Sequence, residues 1–241
     1  MGYVDRLKAE EVRRSLVEHG DAPSLRRWEE LGHPDQDHTW LWALSKNKGP
    51  VLPDCDFIEA LRIRLGIAGP IDIVACSLCG EVPTEGLGPH ALCCAKAECT
   101  RGHTSVTKQL AEEVGTVDPT MEVEPPGLIP GTSLRPADIL TGALGNGLVA
   151  IDIGIASPDA QGVGENFLQA MVTRKLDKYE PHRSALERQN IEYRPLPFSC
   201  YGRPHPDTIG TLRTLTKRIA RRRGCSDGEW RYRRLRSKIV T

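Results

Sequence analysis

Cysteine and histidine residues with metal-ligand spacing are concentrated in the first half of the chain, which has 241 residues and eight cysteines in all. Cys76 and Cys79 form a Cys-x2-Cys pair, which supplies two zinc ligands from one tight turn. His90 and Cys94 are one helical turn apart and supply two more, with Cys93 as the alternative to Cys94. Buried reduced thiols are the competing interpretation. Two ligand pairs at workable spacing favour a structural zinc site formed by Cys76, Cys79, His90 and Cys94.

A second candidate site consists of two aspartates, Asp138 in RPADIL and Asp152 in the apolar segment GLVAIDIGIASP. The second segment is predicted to be a strand, in which alternate side chains point to opposite faces. Its valine and isoleucines fill one face, so Asp152 lies on the other, between Ala150 and Gly154. A carboxylate among small residues leaves room for hydrated Mg²⁺, whose ligands are oxygens. The alternative is that Asp152 pairs with a Lys or Arg and that Asp138 is a turn or cap residue.

The short connection between these segments predicts how the aspartates meet. Residues 141–147 can form a hairpin in which facing residues have numbers that sum to about 289 or 290. Asp138 and Asp152 then lie nearly opposite each other, with their side chains on the same face. Two carboxylates so close repel unless a cation or a shared proton lies between them. We therefore expect one or the other at this pair.

Charge is distributed unevenly along the chain. The formal net charge is zero, which excludes a uniformly basic nucleic-acid coat, yet residues 201–241 carry 12 Lys/Arg against 3 Asp/Glu. A basic segment of this kind favours nucleic acid as a partner, with a solvated helix face as the alternative. The candidate phosphate contacts lie on one predicted helix and are Lys217, Arg218, Arg221 and Arg222.

The spacing of apolar residues and the positions of glycine and proline predict the helices and strands that position these residues. From His103 the order is helix, three strands, helix, strand and helix, which indicates an α/β (α+β) domain with a mixed central sheet flanked by helices. The predicted segments are a helical N-terminal segment at 1–69, a zinc knuckle at 70–104, the α/β domain at 105–225 and a basic C-terminal helix at 226–241.

The sequence predicts further details of the helix after the Asp152 strand and of the last strand. The helix after the Asp152 strand is predicted to break near Pro181. Its expected inner face consists of Phe167, Ala170, Met171, Leu176 and Tyr179. The last strand, IEYRPLPFSCYG, contains prolines, which are confined to the edges of sheets because proline lacks a backbone N–H.

Together these motifs resemble the restriction-like endonuclease region of non-LTR retrotransposon polyproteins, which follows a Cys-Cys-His-Cys zinc knuckle. The matching pieces occur in the family's order: LRIRLG, CSLCG, HALCC, RGHTSV, RPADI, the Asp152 strand, Lys175-x2-Lys178-Tyr179 and IEYRPLPFSCYG. The resemblance covers residues 55–225. No polymerase motif is present, so the chain resembles a detached C-terminal piece of such a polyprotein.

The resemblance implies a PD-(D/E)XK nuclease fold and Mg²⁺-dependent cleavage of DNA. Asp138 and Asp152 match the family's acidic residues, and Glu124 matches a further glutamate. Lys175 or Lys178 would be the catalytic lysine, because Gly154 stands where the usual lysine would be. The other of the two lysines, Lys178 in our preferred assignment, would contact phosphates. The implied cofactors are structural zinc and catalytic magnesium.

Departures from the family pattern keep alternatives open. Thr104 replaces an expected Asn after His103, and Cys93 is an extra cysteine in the knuckle, although neither change removes a carboxylate. The alternatives are a catalytically dead zinc-knuckle module that binds nucleic acid and a zinc-bound interaction domain. The expected partner is DNA or RNA, with no membrane and no small-molecule cofactor. Because the N-terminus is charged and lacks a secretory pattern, we expect an intracellular, nuclear location.

Overall fold

A computed structural model describes residues 3–36, 38, 54–67, 75–76, 79–80, 82, 94, 98–158 and 164–240. Its first helices are α1 (Tyr3–Glu18), α2 (Ala22–Leu31) and α3 (Asp54–Leu65). The Asp21 side chain caps α2 by accepting a hydrogen bond from the Ser24 backbone N–H. Helix α3 ends at Gly66, whose positive φ of 68° is a conformation that glycine adopts without strain.

The remaining elements form an α/β unit. They are α4 (Glu98–Gly115), β1 (Glu122–Val123), β2 (Ile139–Thr141), β3 (Leu148–Ala156), α5 (Phe167–Tyr179), a 3₁₀ turn (Glu180–His182), α6 (Arg183–Glu187), β4 (Ile191–Ser199), α7 (Pro206–Arg222) and α8 (Gly228–Val240). The predicted order of helices and strands is confirmed. The predicted break near Pro181 is also confirmed, because the 3₁₀ turn separates α5 from α6.

The four strands form a mixed sheet in the order β1-β2-β3-β4. Strands β1, β2 and β3 pair antiparallel, and β4 pairs parallel to β3. The predicted α/β class with a mixed sheet is therefore confirmed. Pro195 and Pro197 lie in β4, which is an edge strand as expected, so their missing N–H groups interrupt no second ladder.

Strand β3 divides the core into two layers. Val149, Ile151 and Ile153 are buried on one face, where they pack with α4, α7 and α8. Ala150 is buried on the other face, in a second cluster that includes Tyr179 and Leu186. The predicted alternation is correct, and it places Asp152 on the side of the sheet that α5 covers.

The inner face of α5 differs from the prediction. The residues that are buried are Phe167, Leu168, Met171, Val172 and Tyr179. Ala170 and Leu176, which were expected to face inward, are exposed. The buried stripe is rotated by part of a turn, so Lys175, four residues from both Met171 and Tyr179, lies along the side of α5 that faces the sheet.

Two boundaries differ from those expected from the sequence. Helix α4 begins at Glu98, inside the range assigned to the knuckle. Tyr232 and Leu235 of α8 belong to the main core, so the basic C-terminal helix packs onto the α/β unit. The predicted helix within residues 39–50 lies outside the described residues. In the part of the chain that is described, no helix combines the length and apolar character needed to cross a membrane.

Candidate functional site

The two aspartates lie side by side on neighbouring strands. Ile139 pairs with Ile151 and Leu140 with Ala150, so facing residue numbers sum to 290 and the predicted hairpin register is confirmed. The Asp138 backbone N–H donates to the Ile151 carbonyl at 2.8 Å. The Asp138 carboxylate also accepts the backbone N–H of Ile153 at 2.6 Å, and thus extends the ladder beyond the last strand pair. The Asp138 and Asp152 side chains are 16% and 13% exposed.

Lys175 reaches this pair from α5. Its Nζ donates to Asp152 Oδ1 at 2.6 Å and to the Ile153 carbonyl at 3.0 Å, and its side chain is 18% exposed. Lys178, the alternative, is exposed and lies with its Nζ 4.8 Å from the centre of the Tyr179 ring. The structure therefore brings Lys175, and not Lys178, to the aspartates.

Gly154 provides the space that Lys175 occupies. A Cβ atom at this position would lie 2.7 Å from Cε of Lys175 and 2.4 Å from Sδ of Met171, both closer than van der Waals contact. Any larger residue on this strand position would push the lysine stem away from the carboxylates. The absence of a side chain at Gly154 thus allows a lysine from the neighbouring helix to enter.

His103 joins the group from the N-terminal half of α4. Its Nε2 lies 3.0 Å from Asp138 Oδ2. This hydrogen bond raises the pKa of His103, against the opposing effect of burial, and the charges of both aspartates add to the increase. His103 lies in the motif RGHTSV, but its contact with Asp138 could not be predicted, because a contact across 35 residues has no local pattern.

Tyr193 completes the group from β4. Its hydroxyl donates a short hydrogen bond to Asp152 Oδ2. Burial raises the pKa of Tyr193 well above its usual range, and the charges of Asp152 and Asp138 raise it further. The phenol therefore remains a neutral hydrogen-bond donor. No signal in the sequence identified it, since the parallel register of β3 and β4 is set by packing.

Two carboxylates in this site each contact a basic side chain. Asp138 contacts His103 and Asp152 contacts Lys175, so each acid has a basic side chain as a partner. For Asp152, this is the alternative that the sequence left open, a pairing with a lysine. Asp152 has both oxygens in hydrogen bonds, whereas no described residue donates to Asp138 Oδ1.

The oxygen atoms of this group fit the chemistry of Mg²⁺. Asp138, Asp152 and the Ile153 carbonyl offer hard oxygen ligands, and Lys175 already places a cation against two of these groups. Among the described residues, however, these acids and His103 do not form a compact three-residue metal group. The set suits an ion that takes one or two carboxylates and keeps several waters.

Glu124 is not part of this group. Its side chain is exposed and its carboxylate lies 3.7 Å from Arg135. Its backbone N–H donates to the Asp138 carbonyl at 2.9 Å, so it contacts the site only through the main chain. The structure thus leaves no catalytic position for Glu124.

Two of the four predicted phosphate contacts also make hydrogen bonds within the fold. Arg218 donates to the Ala143 carbonyl at 2.7 Å, and Arg222 donates to the Val117 carbonyl at 2.6 Å. These arginines attach α7 to the loops beside the sheet. Lys217 and Arg221 are exposed on the same helix. The four residues therefore differ in their surroundings, because two of them are hydrogen-bonded within the fold.

A separate group of thiols is present in the knuckle segment. The sulfur atoms of Cys76, Cys79 and Cys94 all lie within 4.8 Å of one another. Cys76 Sγ and Cys94 Sγ are 3.9 Å apart, and tetrahedral zinc with bonds of about 2.3 Å separates two sulfurs by about 3.8 Å. This cluster could hold a metal such as zinc. The other predicted ligand, His90, and the alternative, Cys93, lie outside the described residues.

No family model, curated protein or solved structure matches this chain. The resemblance to restriction-like endonucleases therefore depends on the sequence motifs, and the interpretation of the site depends on its geometry.

Proposed function

We propose that this chain is a Mg²⁺-dependent nuclease that cleaves phosphodiester bonds in DNA. The observation that carries the proposal is the convergence of Asp138, Asp152 and Lys175, where a glycine makes room for the lysine. The order of motifs that resembles retrotransposon endonuclease regions supports the same assignment. A shared acidic pair with an adjacent lysine is also the arrangement that phosphoryl chemistry needs.

The two aspartates and the lysine would have separate roles in this reaction. Asp138 and Asp152 would hold Mg²⁺ together with the Ile153 main-chain oxygen. The bound ion would polarise the scissile phosphate and lower the pKa of a water. Lys175 would orient that water or stabilise the negative charge that develops on the phosphate.

His103 and Tyr193 would act on the carboxylates. His103 holds Asp138 and, when protonated, would add positive charge beside the phosphate site. The Tyr193 hydroxyl stays protonated and donates a hydrogen bond to Asp152 Oδ2, which fixes the orientation of that carboxylate. We regard Tyr193 as a positioning residue.

Nicking of supercoiled plasmid in Mg²⁺ tests the proposal. We expect Asp152→Asn and Lys175→Met each to reduce the rate by at least about 100-fold, the scale for loss of a group that stabilises transition-state charge. Asp177→Asn and Lys108→Met are matched controls, because both residues are exposed on the helices that supply Lys175 and His103. Wild-type activity no higher than that of Asp152→Asn would exclude the nuclease assignment.

Metal binding provides a readout that does not need cleavage. Mg²⁺ should raise the melting temperature of the wild-type protein, because a ligand that binds only the folded state stabilises it. Asp152→Asn should remove this shift, and Asp177→Asn should retain it. An equal shift in all three proteins would show that Mg²⁺ binds elsewhere.

The second candidate function is a non-catalytic module that binds nucleic acid. The complete hydrogen bonding of Asp152 by Lys175 and Tyr193 favours it, because a carboxylate with both oxygens engaged resembles a structural ion pair. In that case DNA binding would persist in Asp152→Asn, and neither protein would nick DNA.

We also propose that zinc occupies the thiol cluster, with His90 as the fourth ligand. Purified protein should contain one zinc per chain, and Cys94→Ser should lower that content, whereas Cys55→Ser, which changes an exposed cysteine outside the cluster, should not. Because a short knuckle has little core of its own, chelation should unfold it before the α/β unit. Unchanged zinc content in Cys94→Ser would refute the ligand set.

A further inference from the structure

Trp230 is an exposed aromatic residue on a helix that is otherwise anchored in the core. Tyr232 and Leu235 of α8 are buried, and Trp230 precedes Tyr232 by two residues, which is about 200° around a helix. Trp230 therefore points away from the core, and 51% of its surface is exposed. A single exposed aromatic side chain is common on protein surfaces and would not by itself indicate a ligand.

Positive charge surrounds this ring. The guanidinium carbons of Arg234 and Arg231 lie 5.5 Å and 6.0 Å from its centroid. Residues 213–236, which include most of α7 and α8, contain ten basic and two acidic residues. The ring thus has two guanidinium groups beside it, in a segment of the chain that is strongly basic.

The two acidic residues are engaged elsewhere. Asp227 accepts the backbone N–H of Trp230 at 2.8 Å and so caps α8. Glu229 lies 3.8 Å from Arg213 and 3.7 Å from Arg233. Within the described part of the chain, neither Arg231 nor Arg234 has a carboxylate partner, and Arg231 donates a hydrogen bond to Cys225 Sγ at 3.6 Å.

We propose that Trp230, Arg231 and Arg234 form a binding surface for single-stranded nucleic acid, in which a base stacks on the indole and the guanidiniums contact phosphates. Aromatic rings beside cationic side chains bind single strands because every base has a π-face and every linkage a negative charge. A duplex has its bases stacked already, so it can use the arginines but not the ring. This surface involves none of the carboxylate-site residues, and the inference does not depend on nuclease activity.

Fluorescence anisotropy with a labelled 20-residue oligothymidylate, without added Mg²⁺, tests the proposal independently of cleavage. We expect Trp230→Ala to weaken binding by about tenfold, which is within the range for one stacked base. Trp230→Phe should retain most of the affinity because a phenyl ring still stacks. Trp28→Ala removes an exposed indole from α2 and should have no effect.

An oligomer of the same length with abasic sugars separates stacking from charge. The wild-type protein should bind it about tenfold more weakly than oligothymidylate, and Trp230→Ala should bind both equally. The affinity for a duplex of matching sequence should fall by less than about twofold in the Trp230→Ala variant. Equal losses on single strand, duplex and abasic oligomer, or no loss on any of them, would overturn the proposal.

The arginines are tested through the dependence of affinity on salt. Arg231→Gln and Arg234→Gln should each reduce the slope of log affinity against log salt by about 0.7, the value for one phosphate contact on a single strand. Arg218→Gln should leave the slope unchanged, because that guanidinium is held by the Ala143 carbonyl. Unchanged slopes in both α8 variants would show that phosphates are not bound there.

Discussion

Removing the ammonium of Lys175 is expected to destabilise the protein measurably. Lys175→Met deletes two charge-assisted hydrogen bonds, to Asp152 at 2.6 Å and to the Ile153 carbonyl at 3.0 Å, while the apolar stem remains. Breaking a fully buried ion pair costs about 3–5 kcal/mol. Since the two side chains are 18% and 13% exposed, we expect the lower limit, about 3 kcal/mol.

The cost can be assigned to the pair by a double-mutant cycle. Asp152→Asn alone should cost about 1–2 kcal/mol, because the amide oxygen still accepts one hydrogen bond. The double variant should lose less than the two single changes together, with a coupling energy of about 2 kcal/mol, well above the limit of about 0.5 kcal/mol for independent sites.

Urea unfolding of the four proteins measures this coupling. The slope of free energy against urea should be constant, so that shifts in midpoint report stability alone. The control cycle combines Lys175→Met with Asp177→Asn, an exposed carboxylate on the same helix, and should be additive. Coupling below about 0.5 kcal/mol between Lys175 and Asp152 would refute the interpretation of this contact as a stabilising, partly buried ion pair.

Three further perturbations follow from the site and the adjacent hairpin. Gly154→Ala should cost about 1–3 kcal/mol and reduce any nicking activity, because the new methyl group displaces the Lys175 stem; wild-type stability and activity would contradict the role of the glycine. The pKa of His103 is raised in the folded protein, so its protonated form stabilises the fold. This stabilisation is complete below the unfolded-chain pKa of about 6.5 and is lost as pH rises through the pKa of the folded protein. His103→Gln should therefore flatten the decline in unfolding free energy as pH rises above about 6.5, and an unchanged profile would exclude the contact with Asp138. Burial opposes ionisation of Asp118, but hydrogen bonds from Thr120, Thr141 and Gly142 outweigh it and lower the pKa of this carboxyl. Its contribution to folding stability is therefore present above the unfolded-chain pKa of about 3.9 and is lost as pH falls through the pKa of the folded protein. Asp118→Ala should cost about 2 kcal/mol at pH 7 and reduce the loss of stability in acid, as measured by urea unfolding between pH 2 and 7.

The predictions that succeeded concern contacts between residues that are close in sequence. The alternation of apolar residues around Asp152 identified its strand and the face of its side chain, since the period of a strand is fixed at two. The hairpin register followed because the connection between β2 and β3 is too short to allow many pairings. Prolines identified β4 as an edge strand because they cannot donate to a second ladder.

The features that the sequence did not predict depend on the rotation and docking of helices. The inner face of α5 was displaced because apolar spacing alone does not separate Leu176 from Met171, and packing against the sheet decided which is buried. Arg218 and Arg222 were predicted to contact phosphates; in the structure, α7 lies where each of them also donates a hydrogen bond to a loop carbonyl. A charge pattern cannot show such carbonyls, because they have no sequence signature.

The sequence by itself determined the class of the fold, the strand that carries Asp152 and the pairing of that strand with the segment of Asp138, because these depend on local periodicity and a short turn. The tertiary structure alone decided which lysine meets the carboxylates, and that His103 and Tyr193 join them. Lys175, His103 and Tyr193 come from three separate elements, α5, α4 and β4, and lie 23, 35 and 41 residues from the aspartates that they contact. Contacts over such separations are fixed by how layers pack around β3, and the energy of that packing is shared by the whole core rather than encoded in any one segment.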